Sequence, residues 1–231
     1  MRYDTETKDE AILRRLESCI ASDIPGFKQE VKEESRLMRA ISRLFALFNT
    51  RFLHEYVTTI YPKVYSPRSY RMFPSAGWKM LAHEWIHLHR AKKLTPFLHG
   101  FLFLFPQILA PLSLISIVAI WSSNWWLLNL AWLVCIAPLP SRFRAEDEFR
   151  GYTMSMAVEY WRYGTIPEKR IQEFSQMFTS SEYYYMWPFK TSVKNRLAKE
   201  TRKIREGKYD KVFPYSEVKT LIEQTWHQKN V

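Results

Sequence analysis

Two histidines and a glutamate near the middle of the chain have a spacing that supports metal chemistry. His83 and His87 stand at positions i and i+4, so on a helix both imidazoles lie on one face and can share a Zn²⁺ ion. Glu84 follows His83 directly, and its carboxylate could take a proton from a metal-bound water. The alternative is an ordinary helix face, because short motifs also occur by chance.

A third ligand is expected on a later helix, because a catalytic zinc needs three protein ligands and one open position. Glu148 is the preferred candidate, since it shares a predicted inward-facing stripe with Tyr152. Glu146 is the second choice, because it lies four residues before Arg150 and could form a surface ion pair with it. All of these acids could also be solvated, as charged side chains usually are. Three histidines outside this helix have weaker claims: His54, His99 and His227.

The segments before the histidines predict the elements that position them. Residues 1–49 indicate two helices, the second over Ser35–Phe48, with a break at Pro25-Gly26. Residues 50–67 are rich in β-branched and aromatic side chains and predict a pair of strands. Within segment 50–93, a further helix then carries both histidines and extends to His89.

A long uncharged stretch follows the histidine helix. Residues 94–141 contain no Asp, Glu, Lys or Arg. Phe97–Trp121 is long enough to span a hydrocarbon core of about 30 Å, and Trp125–Pro140 forms a shorter second arm after a Ser-Ser-Asn turn. We therefore expect a membrane-inserted helical hairpin, either fully transmembrane or re-entrant. A buried hairpin of a soluble protein is the alternative.

The charge distribution predicts which side of the membrane the soluble parts occupy. The chain has a formal net charge of +11, which favours an anionic partner, either phospholipid or nucleic acid. Both flanks of the uncharged stretch are basic, and the positive-inside rule therefore puts both on the cytoplasmic side. These flanking residues are Arg90, Lys92, Lys93, Arg142 and Arg144.

The remainder of the chain is expected to be helical. Segment 142–189 should contain the third-ligand helix, a second helix from Ile166-Pro167 to Phe178, and an aromatic loop at its end. Segment 190–231 should contain a basic helix over Val193–Ile204 and an amphipathic helix over Tyr215–Trp226. The basic helix could bind anionic lipid or nucleic acid, or could be merely solvated; lipid is the simpler partner beside a membrane hairpin.

The motif His83-Glu84-Trp85-Ile86-His87, followed by a glutamate on a later helix, resembles the gluzincin class of zinc peptidases. The order of motif helix, hairpin and glutamate helix is also similar to the membrane-integrated heat-shock and prenyl-protein peptidases. Ser141-Arg142 matches that family, whereas Gly151-Tyr152 stands where it has Ala-Asp. The run Glu148 to Tyr152 also resembles small, often phage-encoded HExxH proteins, over about residues 50–190.

The resemblance implies an α+β fold, a mostly helical zincin-like domain with a small sheet beside the active-site helix. The outer strand of that sheet could bind an extended peptide or protein substrate. The implied zinc ligands are His83, His87 and Glu148. Peptide hydrolysis also needs an electrophile at the developing oxyanion, for which Tyr152 is the candidate and Arg150 the alternative. Core packing is the other role open to Tyr152.

The sequence therefore predicts a membrane-associated zinc hydrolase, most plainly a metallopeptidase in which Glu84 activates the water. A first alternative is a non-catalytic membrane protein whose zinc is structural or vestigial. A fourth protein ligand, such as His54 or His99, would favour that alternative, because structural zinc sites are closed. A second alternative is a nucleic-acid-associated protein that uses the basic helix.

Overall fold

A computed structural model describes residues 2–45, 52–137, 139–180 and 186–227. These residues are mostly helical and form one small sheet, which confirms the predicted α+β class. The α-helices are α1 (Arg2–Asp23), α2 (Arg36–Phe45), α3 (Phe52–Glu55), α4 (Arg68–Met72), α5 (Pro74–Leu94), α6 (Pro96–Leu104), α7 (Arg142–Tyr163), α8 (Glu168–Thr179), α9 (Lys190–Arg205) and α10 (Tyr215–Ile222).

The chain forms two compact units, each assembled from separate stretches. The first unit comprises Met1–Pro96, Gly151–Ile166 and Glu200–Val231, and it contains the sheet and α5. The second comprises Phe97–Arg150 and Pro167–Lys199 and contains the uncharged stretch. Helix α7 continues without interruption through the point at which the chain passes from the second unit to the first.

The sheet has three short strands in the order β1 (Lys28–Val31), β3 (Lys63–Ser66) and β2 (Thr58–Ile60). β1 is parallel to β3, and β2 is antiparallel to it. The strand pair predicted within 50–67 is therefore confirmed for β2 and β3. Strand β1 was not predicted, because its Lys-Gln-Glu-Val sequence has a single apolar residue and shows no alternation.

The predicted strand region differs from the structure at its beginning. Phe52–Glu55 forms the short helix α3, so the strand prediction is wrong for these residues. Leu53 and Glu55 favour helix, and the β-branched run begins only at Val57. Residues 50 and 51, and the end of the helix predicted over Ser35–Phe48, lie outside the described residues.

Helix α5 forms the centre of the first unit and packs against α1. It begins with Pro74 at its first turn, where a missing N–H costs nothing, and extends five residues beyond the predicted end at His89. Trp78 and Trp85 are fully buried. Their indole N–H groups donate to carboxylates of α1, Trp78 to Asp9 at 2.7 Å and Trp85 to Asp23 at 2.9 Å. These bonds fix the rotation of α5 and hence the direction of its histidine face.

The uncharged stretch of the second unit is helical but broken. Helix α6 ends at Leu104, and two 3₁₀ helices follow, Gln107–Ile120 and Asn124–Ile136, which pack against each other. Pro106 lacks the N–H that a continuous helix needs. The arm predicted over Phe97–Trp121 is therefore divided into two helices, and the turn at Ser122-Ser123 is confirmed.

Within the described residues, no single helix combines the length and apolar character needed to cross a membrane. The bent pair Pro96–Leu104 and Gln107–Val118, at 79° to each other, meets that requirement jointly by length and composition. Membrane insertion of this stretch stays a prediction.

The break after α6 is held by Arg144 of α7. Its Nε donates to the carbonyl of Phe103 at 3.1 Å, and its Nη2 donates to Oε1 of Gln107 at 2.7 Å. The Gln107 amide in turn points to the carbonyls of Ala137 and Leu139, at 3.4 Å each. Arg144 was predicted only as one of the basic residues that flank the uncharged stretch. Through Gln107 it also links the beginning of the hairpin to its end.

The later helices follow the sequence prediction closely. Helix α7 contains the predicted third-ligand helix, α8 contains nearly all of the helix predicted from Ile166-Pro167 to Phe178, and α9 extends beyond Val193–Ile204 at both ends. The last predicted helix is α10, continued by a π-helical turn over Glu223–His227. The predicted aromatic loop lies largely outside the described residues.

Candidate metal centre

The two histidines of α5 present their rings to the same place. Their Nε2 atoms lie 3.1 Å apart, and the ring centroids are separated by 5.0 Å. Two imidazole ligands of a tetrahedral zinc, each about 2.0–2.1 Å from the ion, would have nitrogens about 3.3 Å apart. His87 is buried, with 6% of its surface exposed, and His83 is half-buried. The pair therefore has the spacing and burial of a metal-binding pair.

Glu148 supplies the third donor. His83, His87 and Glu148 each offer one ligand atom, and these atoms all lie within 4.8 Å of one another. Glu148 is half-buried and stands three residues before Gly151 on the same uninterrupted helix. Two imidazole nitrogens and one carboxylate oxygen are a donor set that suits zinc. The residues predicted as ligands can thus hold a metal ion.

Gly151 allows the ring of His83 to approach α7. A Cβ atom at this position would lie 2.4 Å from Nε2, 2.6 Å from Cε1 and 2.9 Å from Cδ2 of His83. All three distances are shorter than any tolerable contact, so no side chain fits between α7 and the ring. In the sequence, Gly151 stood out only as part of the Glu148-to-Tyr152 run that resembles other HExxH proteins. An isolated glycine inside a predicted helix was the available signal, since it costs about 1 kcal/mol relative to alanine unless packing requires it.

Two further residues of α7 contact His83. Its Nδ1 lies 3.1 Å from Oγ of Ser155, and its ring meets the ring of Tyr152 edge-on, with centroids 5.0 Å apart. Tyr152 is buried, with 7% of its surface exposed, which agrees with the predicted inward stripe. Ser155 was not predicted, because a single serine within a helix has no distinguishing pattern.

Glu84, the predicted proton acceptor, is tied to the sheet. The hydroxyl of Thr59 donates to its Oε2 at 2.6 Å. Thr59 is the middle residue of β2, which lies at one edge of the sheet. The hydrogen bond fixes one carboxylate oxygen of Glu84 and so limits the orientation of the group. It also brings an edge strand next to the histidine motif.

A buried lysine lies close to this carboxylate. Lys32 follows β1, has 0% of its surface exposed, and donates from Nζ to the carbonyl of Tyr56 at 2.9 Å. Burial lowers the pKa of Lys32 to about 7, although the negative charges of Glu33 and Glu84 act in the opposite direction. The group is therefore on the border between charged and neutral at physiological pH.

The alternative acid and the alternative electrophile both lie in surface ion pairs. Glu146 pairs with Arg150 at 3.4 Å, as predicted, and also with Arg196 at 3.0 Å. The structure brings Glu148, and not Glu146, together with His83 and His87.

The alternative histidine ligands have other partners. His99 lies 3.1 Å from the buried Asp147, and the exposed His54 lies 3.6 Å from Glu33. Nothing is described for the His227 side chain. Within the described residues, neither His54 nor His99 belongs to the cluster that could hold a metal, as a closed structural site would require.

Comparisons with family profiles, with curated proteins and with solved structures find no match for this chain.

Proposed function

We propose that this protein is a zinc-dependent hydrolase, a metallopeptidase of gluzincin type. The observation that carries the proposal is the convergence of His83, His87 and Glu148, with Glu84 adjacent to the first ligand. Three protein ligands leave an open position for a water, which is the arrangement of catalytic rather than structural zinc. Zinc, when bound, would lower the pKa of that water and polarise the substrate carbonyl.

Glu84 is the general base in this proposal. Its Oε2 accepts the hydrogen bond from Thr59 at 2.6 Å, so the carboxylate is held in one orientation. The Glu84 carboxylate would take the proton from the attacking water and then deliver it to the departing amine nitrogen. A carboxylate oriented in this way needs no rearrangement during proton transfer, which is the usual advantage of a preorganised site.

Tyr152 would stabilise the negative charge that develops on the carbonyl oxygen. Its position supports this role, because the ring lies against His83 and on the same helix as Glu148. A phenolic hydroxyl donating to an oxyanion is worth several kcal/mol in a site that excludes water. Arg150 is the weaker candidate, because it lies on the surface and pairs with Glu146.

An extended peptide is the substrate class that this geometry favours. β2 pairs with β3 on one side only, since it ends the strand order. Its Thr59 contacts Glu84, so a peptide added alongside β2 would pass next to the general base. Main-chain hydrogen bonds to an edge strand bind peptides with little dependence on their side chains, while the neighbouring surface sets specificity.

A phospholipid bilayer is the proposed environment of the second unit. The hairpin exposes large apolar side chains along both 3₁₀ helices, including Trp121 and Trp125 beside its turn, which are 78% and 79% exposed. A contiguous apolar surface of this kind marks an interaction site, and tryptophan is enriched at membrane interfaces. The basic flanks of the stretch favour anionic headgroups on the cytoplasmic side.

Zinc removal and replacement test the proposal. The purified full chain, in detergent, is stripped with a chelator and then titrated with Zn²⁺ while cleavage of an unstructured casein substrate is followed. We expect activity to disappear on stripping and to return as one equivalent of zinc is added, with circular dichroism unchanged throughout. Loss of helical structure on stripping, without any zinc-dependent cleavage, would instead indicate a structural zinc.

A further inference from the structure

The non-metal nitrogen of His83 is in contact with a hydroxyl group. Nδ1 lies 3.1 Å from Oγ of Ser155, and that Oγ lies 3.4 Å from the carbonyl oxygen of Gly151, one turn earlier in α7. Nε2, on the opposite side of the ring, is the nitrogen that faces His87. The two nitrogens of the imidazole thus have separate partners.

The hydroxyl of Ser155 has one hydrogen and two possible acceptors, Nδ1 of His83 at 3.1 Å and the carbonyl oxygen of Gly151 at 3.4 Å. A hydroxyl that donates to the carbonyl can only accept from His83, whose neutral ring then carries its hydrogen on Nδ1 and its lone pair on Nε2. Metal binding through Nε2 requires this arrangement, because a ligand nitrogen must present its lone pair.

We propose that Ser155 is a positioning residue for the metal centre, which selects the Nδ1–H tautomer of His83 and fixes the rotation of its ring. This inference rests on the proposed zinc site. Metal-binding histidines generally donate their other N–H to an outer group, and such groups typically account for a 10- to 100-fold difference in metal affinity. Here the outer group is a hydroxyl that passes the hydrogen bond on to the main chain.

Gly151 contributes to the orientation of His83 in two ways. Its missing side chain lets the ring of His83 lie against α7, and its carbonyl receives the hydroxyl that holds the ring. His83 is thus oriented by two consecutive turns of one helix. A change at Ser155 should therefore affect the direction of the ring without changing the space that it occupies.

The test compares Ser155→Ala with Ser155→Thr, which keeps the hydroxyl, and with Ser175→Ala, which removes a buried serine from α8. Zinc affinity of the full chain is measured by competition with a chromophoric chelator, and the His83 tautomer by long-range ¹H–¹⁵N spectroscopy. We expect Ser155→Ala to bind zinc about 10- to 100-fold more weakly and to lose the pure Nδ1–H signature. Ser155→Thr and Ser175→Ala should remain within a few-fold of the wild type.

Wild-type zinc affinity in Ser155→Ala would overturn the inference, as would equal losses in the Ala and Thr variants, which would indicate packing alone. Circular dichroism identifies any variant that fails to fold, and in that case the tautomer signature of wild type and Ser155→Thr decides. The proposed function can fail separately, because it fails if the zinc-loaded wild type cleaves no peptide, whatever the affinity of the variants.

Discussion

Gly151 lies so close to His83 that a Cβ atom at position 151 would be 2.4 Å from Nε2, the atom that faces the metal site. Gly151→Ala should therefore push the ring of His83 away from α7. We expect zinc affinity to fall by about 100-fold or more, since a ligand and not an outer group is displaced. Because alanine favours helix over glycine by about 1 kcal/mol, the helix itself should not be weakened. Competition with a chelator measures the affinity.

Gly100→Ala is the matched control for that substitution. Gly100 lies in α6, and a Cβ there would meet no atom within 4 Å. It should bind zinc like the wild type. Unchanged zinc affinity in Gly151→Ala would show that the ring of His83 can move without weakening metal binding. The close contact between Gly151 and His83 would then not matter for the site.

Glu148 and Glu146 form a second matched pair on α7. Glu148→Ala removes a proposed ligand, whereas Glu146→Ala removes only the partner of Arg150 and Arg196 on the surface. We expect zinc affinity to fall by several orders of magnitude in the first variant and to change little in the second. Zinc content after dialysis against a weak chelator is the measurement. The reverse pattern would transfer the ligand role to Glu146.

The lowered pKa of the buried Lys32 should make the stability of the protein depend on pH. Its pKa is about 7 in the folded protein and near 10.5 in the unfolded chain, so between these values the unfolded chain binds more protons. The contribution of Lys32 to the free energy of unfolding should therefore rise with pH from about 7 to about 10. Lys32→Met should flatten this rise in the thermal midpoint. Lys63→Met is the control. It removes an ammonium group that pairs with Glu30 at 2.6 Å, and it should leave the rise of the thermal midpoint between about pH 7 and about pH 10 intact. Identical pH profiles in wild type and Lys32→Met would contradict the burial argument.

The exposed tryptophans beside the hairpin turn predict binding to lipid. The full chain should float with vesicles of phosphatidylcholine and phosphatidylglycerol, and Trp121→Asp with Trp125→Asp should reduce the bound fraction several-fold. Met72→Asp, which changes an apolar side chain of α4 that is 67% exposed, is the control and should float normally. A wild-type chain that stays in the soluble fraction without detergent would count against a membrane hairpin.

Local sequence patterns predicted the parts of the site that depend on helix geometry. The i, i+4 histidines share a face, and the inward stripe of α7 correctly distinguished Glu148 from Glu146, because periodicity alone decides both. The contacts that connect separate elements were not predictable in this way. Ser155 and His83 are in contact although they are 72 residues apart in the sequence, and Thr59 and Glu84 are 25 residues apart. No spacing rule links such pairs, since only the packing of α7 and β2 near α5 creates them.

The same limit explains the errors in the fold. β1 has no alternation of polar and apolar residues, and it becomes a strand only because β3 offers a partner. The arm that begins at Phe97 has uniform apolar composition, which gives its total length, whereas Pro106 is the local signal for its break.

Glu84→Gln tests the central claim most directly, because the amide keeps the shape of the carboxylate but cannot take a proton. Zinc content and peptide hydrolysis are measured on the same preparations of wild type, Glu84→Gln and, as a control, Glu173→Gln, which changes a half-buried carboxylate of α8 that pairs with Arg170. We expect all three to hold one equivalent of zinc, with hydrolysis reduced by about 10²–10⁴-fold in Glu84→Gln alone. Equal hydrolysis by wild type and Glu84→Gln at equal zinc content would contradict the assignment of Glu84 as general base and, with it, the peptidase mechanism.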